Sequence, residues 1–265
     1  MLILIRGAGD IASGIALRLR RAGFSVVMTD IEKPTAIRRT VAFSEAIVHG
    51  ETRVEEITAR CARDSKEAQD LLGQGILPVL VDPEGRCIPE LKPDAVVDAI
   101  LAKRNLGTAM TDAPIVVGVG PGFTAGVDCH AVVETMRGHT LGRTYYEGSA
   151  LPNTGIPGLI GGFSGERVLR APADGVFRAL AAIGDQVQEG DVAGEVDGRP
   201  MLCTLTGVLR GILADGTVVH QGMKAGDIDP RCKVDHCYTA SDKALSVGGG
   251  VLEAILCLSN RNAEK

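Results

Sequence analysis

Tryptophan is absent from the 265-residue chain, and aromatic residues make up only 3% of it. There is no basic excess either. The 28 Lys+Arg stand against 33 Asp+Glu, a formal charge of −5 that argues against nucleic acid as a partner. No apolar run approaches the roughly 20 residues of a membrane-spanning helix, and at the start Leu2–Ile5 gives four apolar residues after Met1 and before the charge of Arg6, too few for a signal-peptide core. Seven cysteines, an odd number scattered from Cys61 to Cys257, do not make an extracellular disulfide framework. The expectation is a protein of the reducing cytoplasm, with no membrane partner.

What is present is globular: 45% hydrophobic and 23% charged residues, with 34 glycines dispersed among apolar runs rather than gathered in low-complexity tracts. Leu2-Ile3-Leu4-Ile5 is a continuous apolar run of the buried-strand kind, stopped by Gly7-Ala8-Gly9 and followed by helical spacing from Ile11 to Arg21. A second strand, Ser25–Thr29, ends at Asp30. The unit is β-α-β with Gly7-x-Gly9-x-x-Ala12 in its turn and an acidic residue 23 positions after Gly7. Further apolar runs at Ile76–Val81, Ala95–Ile100 and Pro114–Val119, with a helix over Ser65–Gly73, predict a Rossmann-like doubly wound parallel sheet over residues 1–125.

Ligands of open α/β sheets bind outside the carboxyl ends of the strands. That places Gly7, Ala8, Gly9 and Asp30 in one crevice with Asp98, Lys103 and Asn105 after the Ala95 strand, and with Gly120 and Gly122 after the next. Backbone N–H groups of the glycine turns and the α-helix N-terminus would receive a phosphate, and Lys103 would neutralise its charge. Asp10 opposes this reading, because its carboxylate stands where the anion would approach; the alternative is that Asp10 caps the helix and the glycines only make a tight turn.

Residues 126–165 read as a connecting helix with strands, the helix running from Asp128 to Gly138. Cys129, His130, Glu134 and His139 fit no zinc spacing, so no metal is assigned. Residues 166–235 contain a repeat: Gly175-Val176-Phe177-Arg178 returns as Gly207-Val208-Leu209-Arg210, and Gly184, Gly190 and Gly194 return as Gly216, Gly222 and Gly226, each 32 positions on. The layout resembles the all-β barrel-sandwich of biotinyl and lipoyl carrier domains. The expected hairpin, Asp197–Met201, has no lysine, which excludes a covalent carrier role. A C-terminal helix within 236–265, started by Ser241 and carrying Gly248-Gly249-Gly250, is expected to pack back on the α/β domain.

Several segments together resemble the accessory family of selenium-dependent molybdenum hydroxylases, the YqeB type. They are Gly7-Ala8-Gly9-Asp10, Val97-Asp98-Ala99 with Lys103-Arg104-Asn105, Gly120–Gly126, Glu134–His139 with Gly142-Arg143, and Asp227–Arg231 with Gly248–Ala254. The resemblance implies a maturation factor that handles the molybdenum cofactor or a nucleotide and docks on a molybdenum hydroxylase apoenzyme, as the related XdhC proteins do. It carries over no catalytic residue.

Two other readings stay open from the residues. One is an NAD(P)-dependent oxidoreductase with Lys103 or His130 as proton donor. The other is selenium chemistry at Cys129, activated as a thiolate by His130. A homodimer is the base-rate expectation.

Overall fold

The structure is a computed structural model that describes residues 1–156 and 158–263; Pro157 of the connecting segment and the last two residues of the C-terminal segment lie outside the described residues. The chain divides into two compact units, Met1–Pro34 with Ala42–Asn153 and Ala240–Lys265, and Thr35–Val41 with Thr154–Thr239.

The first unit is built on a nine-stranded sheet. In chain order its strands are β1 (Leu2–Arg6), β2 (Ser25–Asp30), β3 (Glu51–Val54), β4 (Ile57–Ala62), β5 (Leu77–Val81), β6 (Ala95–Asp98), β7 (Ile115–Val119), β9 (Ala131–Val133) and β10 (Thr144–Tyr145); β8 (Thr124–Ala125) pairs separately with β11 (Gly148–Ser149). They lie in the order β10-β9-β7-β6-β1-β2-β5-β4-β3. From β9 to β4 all neighbours are parallel, whereas β10 and β3 close the two edges antiparallel. The sheet is therefore mixed, which corrects the Rossmann-like doubly wound parallel sheet expected from the apolar runs. The cause is local. Strands β3 and β4 are joined by Glu55 and Glu56 alone, with Glu55 at φ +52°, and so short a link permits only antiparallel neighbours.

Strand alternation sends Leu4, Val27, Val96, Val116 and Val132 to one face, where they pack with Ala68 and Leu71 of α3 (Ser65–Gly73) and Leu91 of α4 (Ile88–Leu91). Helix α1 (Asp10–Arg21) buries Ile11, Ile15 and Leu19 at helical spacing, with Arg18, Arg20 and Arg21 favourably placed at the negative end of its dipole. Ile15 is fully buried, so its truncation to alanine costs about 2–5 kcal/mol. A short helix, α2 (Glu45–His49), precedes β3, and α5 (Asp242–Ala263) packs along α1. Ser241 starts α5 by accepting the Ala244 N–H on Oγ at 3.1 Å.

No α-helix occurs between 126 and 165 among the described residues. The segment expected to be helical contains β9 instead, because Ala131-Val132-Val133 is buried on both faces and rich in β-branched residues.

The second unit comprises β12 (Val168–Arg170), β13 (Gly175–Ala179), β14 (Gln186–Val187), β15 (Val192–Val196), β16 (Arg199–Leu202), β17 (Gly207–Ile212), β18 (Val218–Val219) and β19 (Lys224–Asp229). The 32-residue repeat maps β13-β14-β15 onto β17-β18-β19. The copies exchange their short strands: β14 pairs with β17, and β18 with β13. The result is two four-stranded antiparallel sheets, β12-β19-β17-β14 and β16-β15-β13-β18, each with one strand from outside the repeat. They replace the expected biotinyl/lipoyl barrel-sandwich. Phe177, Leu169, Leu209 and Ile228 fill the core between them. An ionic cluster is also buried: Asp227 accepts from Arg167 Nη1 and Arg210 Nε, each at 2.8 Å, and Asp229 accepts from Arg231 N at 3.0 Å and Nε at 2.9 Å.

Candidate functional site

The carboxyl ends of β1, β6 and β7 converge through close backbone approach. Gly7 has φ +95°, and a Cβ there would stand 2.8 Å from the Ala99 carbonyl oxygen; a Cβ at Gly122, φ +112°, would stand 2.7 Å from the Arg104 backbone nitrogen. Only glycine meets both demands. The loop held between these turns, Ile100–Leu106, is itself strained, with Leu101 at φ +62° and Lys103 at φ +64°. Non-glycine residues in this region persist only where the surroundings impose it.

The glycine turn after β1 is wired into the interior. Gly7 N–H donates to the Thr29 carbonyl and Ala8 N–H to Asp30 Oδ2, both at 2.8 Å. The Ala8 carbonyl accepts from Ser44 N–H at 2.9 Å and from Ser13 Oγ at 3.2 Å. What remains at the opening is the start of α1. Its N-cap is Gly9 rather than Asp10, which is the first helical residue; no side chain caps the end, and the space beside Gly9 is empty. Helix termini of this kind leave backbone N–H groups for an external acceptor.

The predicted side chains divide into two groups. Asp30 spends both oxygens on backbone, Oδ2 on Ala8 and Oδ1 on Ile31 N–H at 2.8 Å, while burial raises its pKa. It holds the turn and has no oxygen directed to a ribose. Asp98 is buried, with its pKa raised by burial, and accepts from Thr108 Oγ1 at 2.6 Å and from Ile100 N–H at 3.1 Å. Asn105 braces the same loop, accepting from Gly107 and Thr108 N–H and donating to the Thr108 carbonyl. Gly120 N–H is taken by the Val133 carbonyl at 2.8 Å. Gly9, Gly122 and Lys103 are left at the opening. Lys103 is exposed, no acid pairs with it among the described residues, and desolvation by its surroundings lowers its pKa.

Cys129 and His130 stand elsewhere. Cys129 is fully buried and its thiol is pushed up to about 11, so a thiolate is not available there. His130 Nδ1 accepts the Val116 N–H at 3.0 Å, and burial lowers the ring's pKa, which keeps it neutral. Among the described residues no three His, Cys, Asp or Glu side chains are grouped to hold a metal. Sequence reading missed Arg6, Ser13 and Ser44, whereas Thr108 follows the Ala95 strand with Asp98 and is bound to it. Only Arg6 carried a signal: a charge inside an apolar strand, on the same face as Leu4.

Fold and site together define a mixed-sheet α/β unit with a glycine-lined opening, accompanied by a small antiparallel β unit. No protein-family model matches the chain. It is 53% identical over 263 residues to an uncharacterized protein, YqeB, of Escherichia coli K12, which covers 99% of this chain and 49% of that protein; the chain spans about half the length of this curated relative. Similar solved structures include an aspartoacylase family protein from Mesorhizobium loti (12% identity, TM-score 0.27) and a succinylglutamate desuccinylase/aspartoacylase from Rhodobacter sphaeroides (16%, TM-score 0.27). A third is the ectoine utilization protein EutE (DoeB) from Ruegeria pomeroyi (10%, TM-score 0.24); each covers 86% of this chain and is covered over 84% of its own.

These findings correct the functional expectation. The match that spans this chain is to an uncharacterized protein and gives no support to a molybdenum-hydroxylase maturation role. Selenium, molybdenum and xanthine dehydrogenase maturation are therefore not attached to this chain, nor is the NAD(P)-dependent alternative, whose ribose acceptor Asp30 is spent inside the fold. No helix among the described residues is long and apolar enough to cross a membrane.

Proposed function

We propose that the α/β unit binds a small phosphate-bearing molecule at the carboxyl ends of β1, β6 and β7. The observation that carries this reading is the convergence of two glycine turns on the strained Ile100–Leu106 loop, next to an uncapped helix N-terminus with open space at Gly9. The phosphate sits on the first N–H groups of α1, and Lys103 supplies the opposing charge. Asp30, Asp98 and Asn105 position the loops without touching the ligand. Asp10 tunes the site against excess negative charge, which favours a monoanionic phosphate ester over a more highly charged group. All seven cysteines are unpaired, which supports a reducing compartment, the cytoplasm, as the place of action.

The test is calorimetric titration with inorganic phosphate and pyrophosphate, together with native mass spectrometry of the purified protein. Saturable binding weakened about tenfold or more by both Lys103→Ala and Gly9→Asp, in variants that unfold at the wild-type temperature, is expected. Equal affinity in the folded variants removes this opening as the site.

A further inference from the structure

A groove of about 770 Å³ runs along the other face of the same sheet, beside α4, and nothing in the reading above uses it. Arg6 lies in its floor. The strand places Arg6 on the same face as Leu4, and its side chain is 2% exposed. Nη1 is bound to Thr108 Oγ1, Nη2 donates to the Pro83 carbonyl at 3.0 Å, and Asp98 lies 3.7 Å behind it. Those contacts satisfy its charge and its terminal nitrogens. They leave Nε–H buried with no acceptor among the described residues. A buried guanidinium donor without a partner asks for an oxygen.

The rest of the groove asks for the opposite charge. Beyond Arg6 its charged residues are Glu84, Asp94 and Asp112 against Lys92. Asp94 Oδ2 accepts Leu2 N–H at 2.7 Å and Asp112 Oδ2 accepts Ala109 N–H at 3.0 Å, so each is fixed in place through one oxygen and presents the other. Ile88 and three prolines supply its apolar lining. Gly85 keeps the way to the floor open: a Cβ there would stand 3.6 Å from Arg6 Nε and 3.0 Å from Ile88 Cδ1.

We propose that this groove is a second ligand site, for a small zwitterion of the amino-acid class, with its carboxylate on Arg6 Nε and its ammonium group between Asp94 and Asp112. Rotation of the Ile88 side chain admits the carboxylate to the buried nitrogen. The site uses none of the groups assigned to the phosphate, although Arg6 shares Asp98 and Thr108 with the loop bordering that opening.

The ¹⁵N–¹H cross-peak of Arg6 Nε, assigned by its loss in Arg6→Lys, reports on the site directly. The probes are the common L-amino acids, with hexylamine and hexanoate as single-charge controls. At least one amino acid is expected to shift the peak saturably at millimolar concentration or below, more tightly than either control. Asp112→Asn should weaken it about tenfold, while Gly9→Asp, which alters only the other site, leaves it unchanged. No saturable shift with any amino acid, or a shift matched by hexylamine or hexanoate, overturns the proposal. If Arg6→Lys does not fold, through-bond assignment of the arginine side chains in the wild-type protein identifies the peak, and Asp112→Asn, which leaves the Arg6 hydrogen bonds in place, carries the test.

Discussion

Ala8 and Asp30 are joined across the ends of β1 and β2 by a 2.8 Å hydrogen bond from the Ala8 N–H to Asp30 Oδ2, and the second oxygen of Asp30 takes the Ile31 N–H. An acidic residue at the end of the second strand, which sequence spacing reads as a ribose ligand, acts here as the acceptor that sets the glycine turn. Asp30→Ala therefore leaves two backbone donors without their partner. A loss of about 1–3 kcal/mol in urea unfolding is expected. A variant as stable as wild type would show that the turn holds itself.

The ionic cluster of the second unit predicts acid sensitivity. Burial alone would raise the pKa of Asp229, but Arg231, through side chain and backbone, and Arg210 outweigh it and hold the carboxyl far below its ordinary value. Its folded pKa is depressed, so its contribution to stability is complete above about pH 4 and is lost as pH falls further. Asp229→Asn should flatten the decline in unfolding free energy below about pH 4 while costing about 1–3 kcal/mol at neutral pH, because the half-exposed Arg231 loses its charge-assisted hydrogen bonds and buried Arg210 keeps only Asp227. An unchanged acid slope would assign the sensitivity to other carboxylates.

The degree to which sequence discloses this molecule differs from one element to the next. Continuous apolar runs such as Leu2–Ile5 and Ser25–Thr29 mark β1 and β2 because buried parallel strands have no polar face to present. The hairpin β3–β4 is hidden: Glu51 and Arg53 carry exposed charge on the edge strand, half-buried Arg60 interrupts its neighbour, and nothing in their pattern distinguishes them from a loop. Strand β9 is misread for another reason. Its three residues are too few to display a period of two, and their flanks supply Glu134 and Gly138 in places that imitate a helix. At the opening, glycine spacing points to the turns, but the inward commitments of Asp30, Asp98 and Asn105 depend on partners distant in sequence, such as Ala8 for Asp30.

Cysteine reactivity should separate by burial. Cys232 is exposed, whereas Cys129 is fully buried and Cys87, also buried, has its thiol pushed up to about 12 by desolvation and by Asp82. Timed alkylation of the native protein with iodoacetamide near pH 8, read by peptide mass spectrometry, should label Cys232 first and leave Cys87 and Cys129 unmodified until denaturant is added. Early labelling of Cys129 would reopen thiolate chemistry at that position.

The three consecutive glycines of α5 make the sharpest stability prediction, because helix propensity treats them alike and packing does not. Each Gly→Ala change in a helix interior gains about 1 kcal/mol from propensity alone. Gly249 has nothing within 4 Å of where a Cβ would stand, so Gly249→Ala should realise that gain and raise the melting temperature. At Gly250 the added atom would lie 2.2 Å from the Gly142 carbonyl oxygen and 2.8 Å from Val133 Cγ1. Backbone on the far side cannot yield as a flexible side chain does, so Gly250→Ala should destabilise by about 1–3 kcal/mol despite its better propensity. Gly248 is an intermediate case, its Cβ meeting the Gly14 carbonyl at 2.9 Å and the more yielding Arg18 side chain at 2.8 Å. Thermal unfolding of the three single variants should therefore rank Gly249→Ala above wild type, with Gly248→Ala below wild type and Gly250→Ala lowest. Equal shifts for all three would mean that α5 does not lie against Gly142 and α1 in solution.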